Sequence, residues 1–246
     1  MIPKIIHQTW KTEEIPDEWK DAVYSCKLMN PDYKYILWTD KLMEEFVKYK
    51  FPDFYKTYMG YPHNIQRCDA FRYLVLYIYG GIYLDLDIVC KKNLDPLLSY
   101  ELVLTKSPNT SLSFTNMFFM ATPYHPFMKF CIEELPNFAY SYALFGKHLY
   151  VFNSTGPFFL TKMLSEYKLD NIPNCRVLSN EEFAGDCNLC NESKCSGGEY
   201  FNHLEGRSWN DNDSLFYNFC FCHRKIIGLT SFIIIVLFFL VYALRQ

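Results

Sequence analysis

The chain has 246 residues and a formal net charge of −3. That length holds one large domain plus an appendage. Half of the residues are hydrophobic, which excludes an intrinsically disordered chain, and the charge balance excludes a nucleic-acid partner bound through a broad basic field. Aromatics make up 19% of the chain; a Tyr- and Phe-filled core is one account of them, platforms for sugar or lipid the other.

Residues 2–6 (IPKII) and 35–38 (YILW) read as short buried strands. Residues 17–29 have helical character after the Ile15-Pro16 turn, and 41–50 form a second helix capped by Asp40. Pro52 interrupts the pattern. The strongest helix is 67–79, with Ala70, Phe71, Leu74, Tyr77 and Ile78 on one side. Gly80-Gly81 ends it, and 82–90 is a strand. Further strands are expected at 102–105 and 116–121, and helices at 127–138 and 156–165. From Gly185 to about 222 the chain turns polar and Cys-rich, with weak regular structure. Strands alternating with helices imply an α/β sheet covered on both faces.

Residues 226–244 (IIGLTSFIIIVLFFLVYAL) carry no charge, and Arg224, Lys225 and Arg245 flank them. A helix of that length spans roughly 28 Å, close to a bilayer's hydrocarbon core. The expectation is a 1–222 catalytic domain and a single-pass C-terminal membrane anchor at 226–244, in an endomembrane of the ER or Golgi type. The heavier positive flank predicts a cytosolic domain. Sequons at Asn109, Asn153, Asn191 and Asn212 would be used only in a secretory lumen, so orientation stays open.

Asp85 and Asp87 are the first candidates for chemistry. On a strand, positions i and i+2 share a side, so the two carboxylates project together while Leu84, Leu86 and Ile88 enter a core. Two carboxylates at the end of a buried strand are costly unless a positive charge joins them, and a divalent cation carrying a phosphorylated ligand meets that need. Upstream, Asp69 and Arg72 are spaced i, i+3 on one helix face. An Arg and a carboxylate together read sugar hydroxyls, one donating and one accepting.

IPKIIHQTW, then R-x-D-x-x-R at 67–72, then GGIYLDLD at 80–87, together resemble the DXD-containing sugar-transferases of glycosyltransferase family 32, which includes fungal mannosyltransferases and inositol-phosphoceramide mannosyltransferases. The resemblance covers 1–105 and continues in patches at Asn116, Thr155-Gly156-Pro157, His203 and Ser208-Trp209. It implies a GT-A fold, a nucleotide-sugar donor (GDP-mannose, or a UDP-sugar), Mn²⁺ or Mg²⁺, and retention of anomeric configuration. It places Gln8 and Trp10 in the donor site, with Trp10 stacked on the base, and Asp69 and Arg72 on the donor sugar. It also implies that Asp85 and Asp87 bind the metal, that Asn116 belongs to the donor site, and that His203, Ser208 and Trp209 close over metal and diphosphate. The acceptor it implies is a membrane glycolipid such as inositol-phosphoceramide, with a protein-linked glycan as runner-up.

Cys187, Cys190 and Cys195, followed by Cys220 and Cys222, read as a structural Zn²⁺ site, as disulfides or as free thiols. Cys26, Cys68, Cys90, Cys131 and Cys175 read as small buried apolar residues. Two other functions compete. YLDLDIV also fits the nucleophile strand of haloacid-dehalogenase-like phosphohydrolases, although no acidic pair follows it. A non-catalytic sugar-nucleotide binder is the other.

Overall fold

A computed structural model of the chain describes residues 1–107, 110–141, 143–186, 190, 195–204, 211–226 and 228; the side chains of residues 110–112 are outside that description. The elements in order are β1 (Ile5–Trp10), α1 (Asp17–Met29), β2 (Lys34–Thr39), α2 (Asp40–Lys50), α3 (Pro52–Gly60), α4 (Asn64–Tyr79), β3 (Gly81–Leu84) and β4 (Ile88–Cys90). They continue with β5 (Leu102–Ser107), β6 (Thr110–Phe114), β7 (Phe118–Ala121), α5 (Pro126–Phe138), α6 (Gly146–Ser154), α7 (Pro157–Tyr167), β8 (Cys175–Leu178), β9 (Phe201–His203) and α8 (Asn212–Cys222).

The main sheet runs β2-β1-β3-β7-β5, with β6 and β8 both paired to β5. Strand β1 is parallel to β2 and β3, β7 is antiparallel to β3 and β5, and β8 is parallel to β5. Side chains alternate across the pleat. Tyr83, Leu102, Leu104, Phe119 and Ala121 face one core beneath α2 to α5 and α7. Ile82, Leu84, Val103, Phe118 and Met120 face the other, with Ile2, Ile6, Phe183 and Phe201. The sheet is thus covered on both faces.

Strand β1 is Ile5–Trp10 rather than 2–6. It lies between β2 and β3, so even His7 and Gln8 are buried, and a hydropathy reading stops at those polar residues. Helix α2 is capped by Thr39, whose hydroxyl accepts from the Leu42 N–H, and not by Asp40. Pro52 does interrupt the chain, but as the first residue of α3, where its missing N–H costs nothing. Gly80 and Gly81 have φ of +62° and +97°. At Gly81 a Cβ would lie 2.6 Å from the Ile5 carbonyl oxygen of β1, so the strand pairing itself requires glycine.

The expected strand 82–90 is two strands with a turn between them. β3 ends at Leu84, and β4 leaves the main sheet to pair with β9. Helices α6 and α8 and strands β6, β8 and β9 were not expected. Cys26 and Cys90 are joined by a disulfide rather than packed as free thiols, while Cys131 is a free, buried thiol.

Cys190 is bonded to Cys222, and Cys195 is also a disulfide cysteine. The zinc site expected at Cys187, Cys190 and Cys195 is therefore ruled out, because at least two of its thiolates are consumed; Cys187 lies outside the described residues. Among the described residues no helix is long and apolar enough to cross a membrane. The expected anchor at 226–244 lies outside them apart from Ile226 and Gly228.

Candidate active site

The carboxyl ends of β1 and β3 open into a cleft of roughly 500 Å³ bounded by Trp10, Trp19, Asp40, His63, Asn64, Asp69, Arg72, Asp85, Asp87, Asn116, Lys147, Phe152 and His203. This is where ligands bind in open α/β sheets.

Helix α4 brings Asp69 and Arg72 to the cleft floor. Their side chains are only 5% and 3% exposed, and Arg72 Nη2 lies 2.8 Å from Asp69 Oδ1. Three further hydrogen bonds hold the pair, while Arg72 Nε is buried without a partner among the described residues. Asn116 Nδ2 donates to Asp69 Oδ1 at 2.9 Å, Thr155 Oγ1 donates to Asp69 Oδ2 at 3.2 Å, and Arg72 Nη1 donates to the Asn116 carbonyl. Burial raises the Asp69 pKa, opposed by Arg72, Thr155 and Asn116. The same guanidinium lies over the Tyr83 ring, 4.6 Å from its centroid, and Nη1 is 3.4 Å from Asp85 Oδ1.

Asp85 sits one residue beyond β3. Its backbone is held on both sides: its N–H donates to Met117 O, and Gln8 Nε2 donates to its carbonyl at 3.1 Å. Its carboxylate accepts from Tyr83 Oη at 3.0 Å, and Tyr83 in turn accepts from Thr9 Oγ1 at 3.0 Å. Burial raises the Asp85 pKa, Arg72 opposes it, and Asp87 and Asp69 add to it. A second positive charge in the cleft would complete the neutralisation.

Asp87 follows in the turn before β4. Pairing of β4 with β9 sets His203 beside it, so that His203 Nε2 lies 3.5 Å from Asp87 Oδ2, and the Leu204 N–H donates to Asp87 O. His203 Nδ1 is 3.4 Å from Cys195 Sγ. If Nδ1 donates there, Nε2 presents a lone pair to a carboxylate oxygen, an arrangement that a shared proton or cation stabilises. Among the described residues Asp87 Oδ1 is buried without a hydrogen-bond partner. An orphaned carboxylate oxygen beside an imidazole is a fit for a divalent cation. Among the described residues no three His, Cys, Asp or Glu side chains converge as a ready-made cage, so such an ion would draw further ligands from phosphate oxygens and water, as Mg²⁺ does in phosphate sites.

The expected residues divide as follows. Trp10, Asp69, Arg72, Asp85, Asp87, Asn116 and His203 all line the one cleft. Gln8 does not. It is fully buried, accepting from Tyr35 Oη at 2.8 Å and donating to Asp85 O, so it positions the Asp85 loop from behind. Ser208 and Trp209 lie outside the described residues.

Comparison with known proteins carries the site further. The family described as "Glycosyltransferase sugar-binding region containing DXD motif" matches residues 16–104. Inositol phosphoceramide mannosyltransferase 3 of Schizosaccharomyces pombe is 40% identical, over 99% of this chain and 67% of the relative. The chain belongs to the DXD-containing glycosyltransferases. Mannosyl phosphorylinositol ceramide synthase SUR1 of Saccharomyces cerevisiae is 38% identical to this glycosyltransferase over 87% of the chain and 53% of the relative. The chain thus spans about half to two thirds of the length of these fungal relatives. Among solved structures, PaToxG glycosyltransferase superposes with a TM-score of 0.52 at 21% identity, over 68% of this chain and 70% of that one. That likeness shows a mixed α/β fold of the GT-A type.

Sequence reasoning missed Tyr83, which is fully buried behind the cleft and bonds Asp85, and several residues of this glycosyltransferase's cleft itself. Tyr83 precedes Asp85 by two positions, and the same-side rule applied to the aspartates would have found it. Trp19, Asp40, Asn64 and Lys147 reach the cleft from helices far apart in the chain, and no local spacing marks them.

Proposed function

We propose that this glycosyltransferase is a membrane-tethered, metal-dependent mannosyltransferase that moves mannose from GDP-mannose to an inositol-phosphoceramide headgroup with retention of configuration. The observation that carries the reading is the pairing of two charge systems in one cleft. A buried Asp69–Arg72 pair, with the half-buried Asp85 against it, stands beside Asp87, whose second oxygen is orphaned among the described residues. The identity to fungal relatives so named supports the sugar and the acceptor.

In this reading Asp87 and His203 hold Mn²⁺ or Mg²⁺. The ion, when bound, stabilises negative charge on the departing diphosphate. Asp69 is fixed by Arg72, Asn116 and Thr155, and its position at the cleft floor suits it to orient sugar hydroxyls. Arg72 opposes the rise that burial gives the Asp85 pKa, and Trp10 offers an aromatic face for the donor base.

Among the described residues no side chain at the cleft is an obvious covalent nucleophile. The acceptor oxygen therefore bonds to the anomeric carbon on the face that the diphosphate leaves. The carbon–oxygen bonding pair departs with the diphosphate, which takes up the acceptor's proton.

The disulfides Cys26–Cys90 and Cys190–Cys222 belong to an oxidising compartment. They favour a lumenal catalytic domain in the secretory pathway over the cytosolic side read from flanking charge, with 226–244 as the membrane anchor.

The test is transfer of labelled mannose from GDP-mannose to inositol-phosphoceramide, with Mn²⁺ and with chelator. Metal-dependent transfer with retained configuration is expected. Transfer only from UDP-sugars, or to protein-linked glycans, would replace donor or acceptor. Metal-independent transfer would overturn the metal assignment, and phosphate release from p-nitrophenyl phosphate would favour a phosphohydrolase.

A further inference from the structure

Among the described residues helix α8 packs on α6 and is bonded through Cys222 to Cys190. Ser214 is buried and its hydroxyl lies 2.9 Å from His148 Nδ1. Asp213 Oδ2 accepts from the His148 N–H, Lys147 pairs with Asp211 at 2.8 Å, and the Tyr217 ring stacks on His148. Beyond Asn212 in its first turn, which is exposed on the same side, the outward side is apolar. Leu215, Phe216 and Phe219, at helical spacing i, i+1 and i+4, share one face and are 61%, 61% and 57% exposed. Leu144, in the turn before α6, is 97% exposed. A contiguous aromatic and aliphatic face of this kind marks an interaction surface.

Its place in the chain says what covers it. Phe219 precedes Ile226 by seven positions, and the uncharged stretch 226–244 begins there. Helix α8 ends at Cys222, only three residues short of the stretch, so Phe219 lies within about one turn of the helix end, and an interfacial helix lies on the order of 5–10 Å into the headgroup boundary. A chain that enters a bilayer near 226 therefore holds Phe219 at that boundary. His223, Arg224 and Lys225 stand between face and stretch, where cationic side chains meet lipid phosphates.

We propose that the outward face of α8 (Leu215, Phe216 and Phe219), together with Leu144, beds into the headgroup layer of the bilayer that receives 226–244. Because Lys147 and Phe152 of α6 form one wall of the cleft, this embedding sets the mouth of the cleft at the depth of lipid headgroups. A soluble acceptor would gain nothing from that placement; a lipid-borne acceptor is presented without being extracted from its membrane. The inference rests on the membrane tether proposed above and not on the identity of donor or acceptor.

The test uses the full chain reconstituted in phosphatidylcholine vesicles whose lipids are brominated high on the acyl chains. Phe216→Trp and Phe219→Trp report on the face; Tyr49→Trp, at an exposed position on α2, is the reference. Bromination should lower the added emission at 216 and at 219 at least about twofold and leave that at 49 unchanged, as for side chains within the interfacial layer. If carbonate washing leaves the protein in the membrane and neither position is quenched, the docking face is wrong while the tether stands. Blue-shifted but unquenched emission would place protein, a second copy or another part of this chain, on the face, and also overturns the proposal. Release of the parent chain by carbonate removes the tether and the proposal together. None of these readouts involves sugar transfer, so a wrong donor or acceptor leaves the result interpretable.

Discussion

Arg72 stands between two carboxylates, 2.8 Å from Asp69 and 3.4 Å from Asp85; Asp69 and Arg72 come from α4, and Asp85 from the residue after β3, the strand that follows α4 across Gly80. The guanidinium does what a lysine could not. It bonds Asp69 through one nitrogen, reaches Asp85 and the Asn116 carbonyl through another, and lies over the Tyr83 ring. Arg72→Lys should therefore keep a charge but lose the fork, lowering transfer by about 100-fold or more. Arg72→Met strands a buried Asp69 and should destabilise the fold by about 3–5 kcal/mol. Denaturant melts alongside activity measurements separate the two effects. A Lys variant with parental kcat/KM would show that only charge matters.

Asp87 gives the opposite balance between stability and ligand binding. Its orphaned oxygen gains nothing from the metal-free fold, so Asp87→Asn should leave the metal-free melting temperature equal or higher. Stabilisation by Mn²⁺, about 2.7 kcal/mol at a hundredfold excess over Kd for the parent, should shrink or vanish. His203→Ala should weaken Mn²⁺ at least about tenfold. Thermal melts with and without the ion decide it; undiminished Mn²⁺ stabilisation in both variants would move the metal elsewhere.

Tyr83→Phe deletes one hydroxyl that joins Thr9 to Asp85. The expected stability cost is about 1 kcal/mol, with transfer down about tenfold, as for loss of a group that orients a functional side chain. The loss should fall on kcat more than on KM for the donor. An unchanged kcat would show that Arg72 alone orients Asp85.

His7 sets an acid limit on the fold. Trp38 Nε1 donates to His7 Nδ1 at 3.1 Å, so Nε2 carries the hydrogen and donates to the Gly80 carbonyl at 3.0 Å. A proton added at Nδ1 would face the Trp38 N–H. Burial lowers the His7 pKa to about 4, opposed by the Gly80 carbonyl and assisted by Lys34. A base with a depressed folded-state pKa contributes stability that is present above its unfolded value, near 6.5, and is lost as pH falls toward 4. Across that window the loss should approach about 3 kcal/mol. Chemical melts between pH 7 and 5 should show the slope in the parent and a flatter one in His7→Gln. Equal slopes would assign the acid sensitivity to other groups.

Gly81→Ala combines a left-handed φ with a backbone clash at 2.6 Å against β1 and should cost about 3 kcal/mol or more. Gly60→Ala is the matched reference, since a Cβ there meets nothing within 4 Å; it should be neutral or stabilising by up to about 1 kcal/mol. A Gly81→Ala protein as stable as the parent would mean that β1 and β3 can separate without loss.

The α4–β3 unit was legible in sequence because helix periodicity, paired glycines and an apolar strand all act within twenty residues. The convergence of Asp69, Arg72 and Asp85 followed from that short connection. What lay beyond local reach was the break after Leu84. Asp85 and Asp87 were read as neighbours on one strand, yet the chain turns between them and β4 pairs with β9, over a hundred residues later. Residue spacing carries no record of that partner. Gln8 was misplaced for a related reason: in a strand covered on both faces, polarity does not say which face a side chain takes. The cysteines failed similarly, since Cys26 and Cys90 meet only when α1 packs against β4.

The bond between Cys190 and Cys222 encloses His203 in a covalent ring. A protease that nicks the backbone between these two cysteines would sever the chain without parting it. The imidazole-bearing fragment and the hydrophobic C-terminus would migrate as one species until a thiol is added. His203, proposed above to hold the ion, is thus linked to α8 by a covalent bond besides the peptide chain.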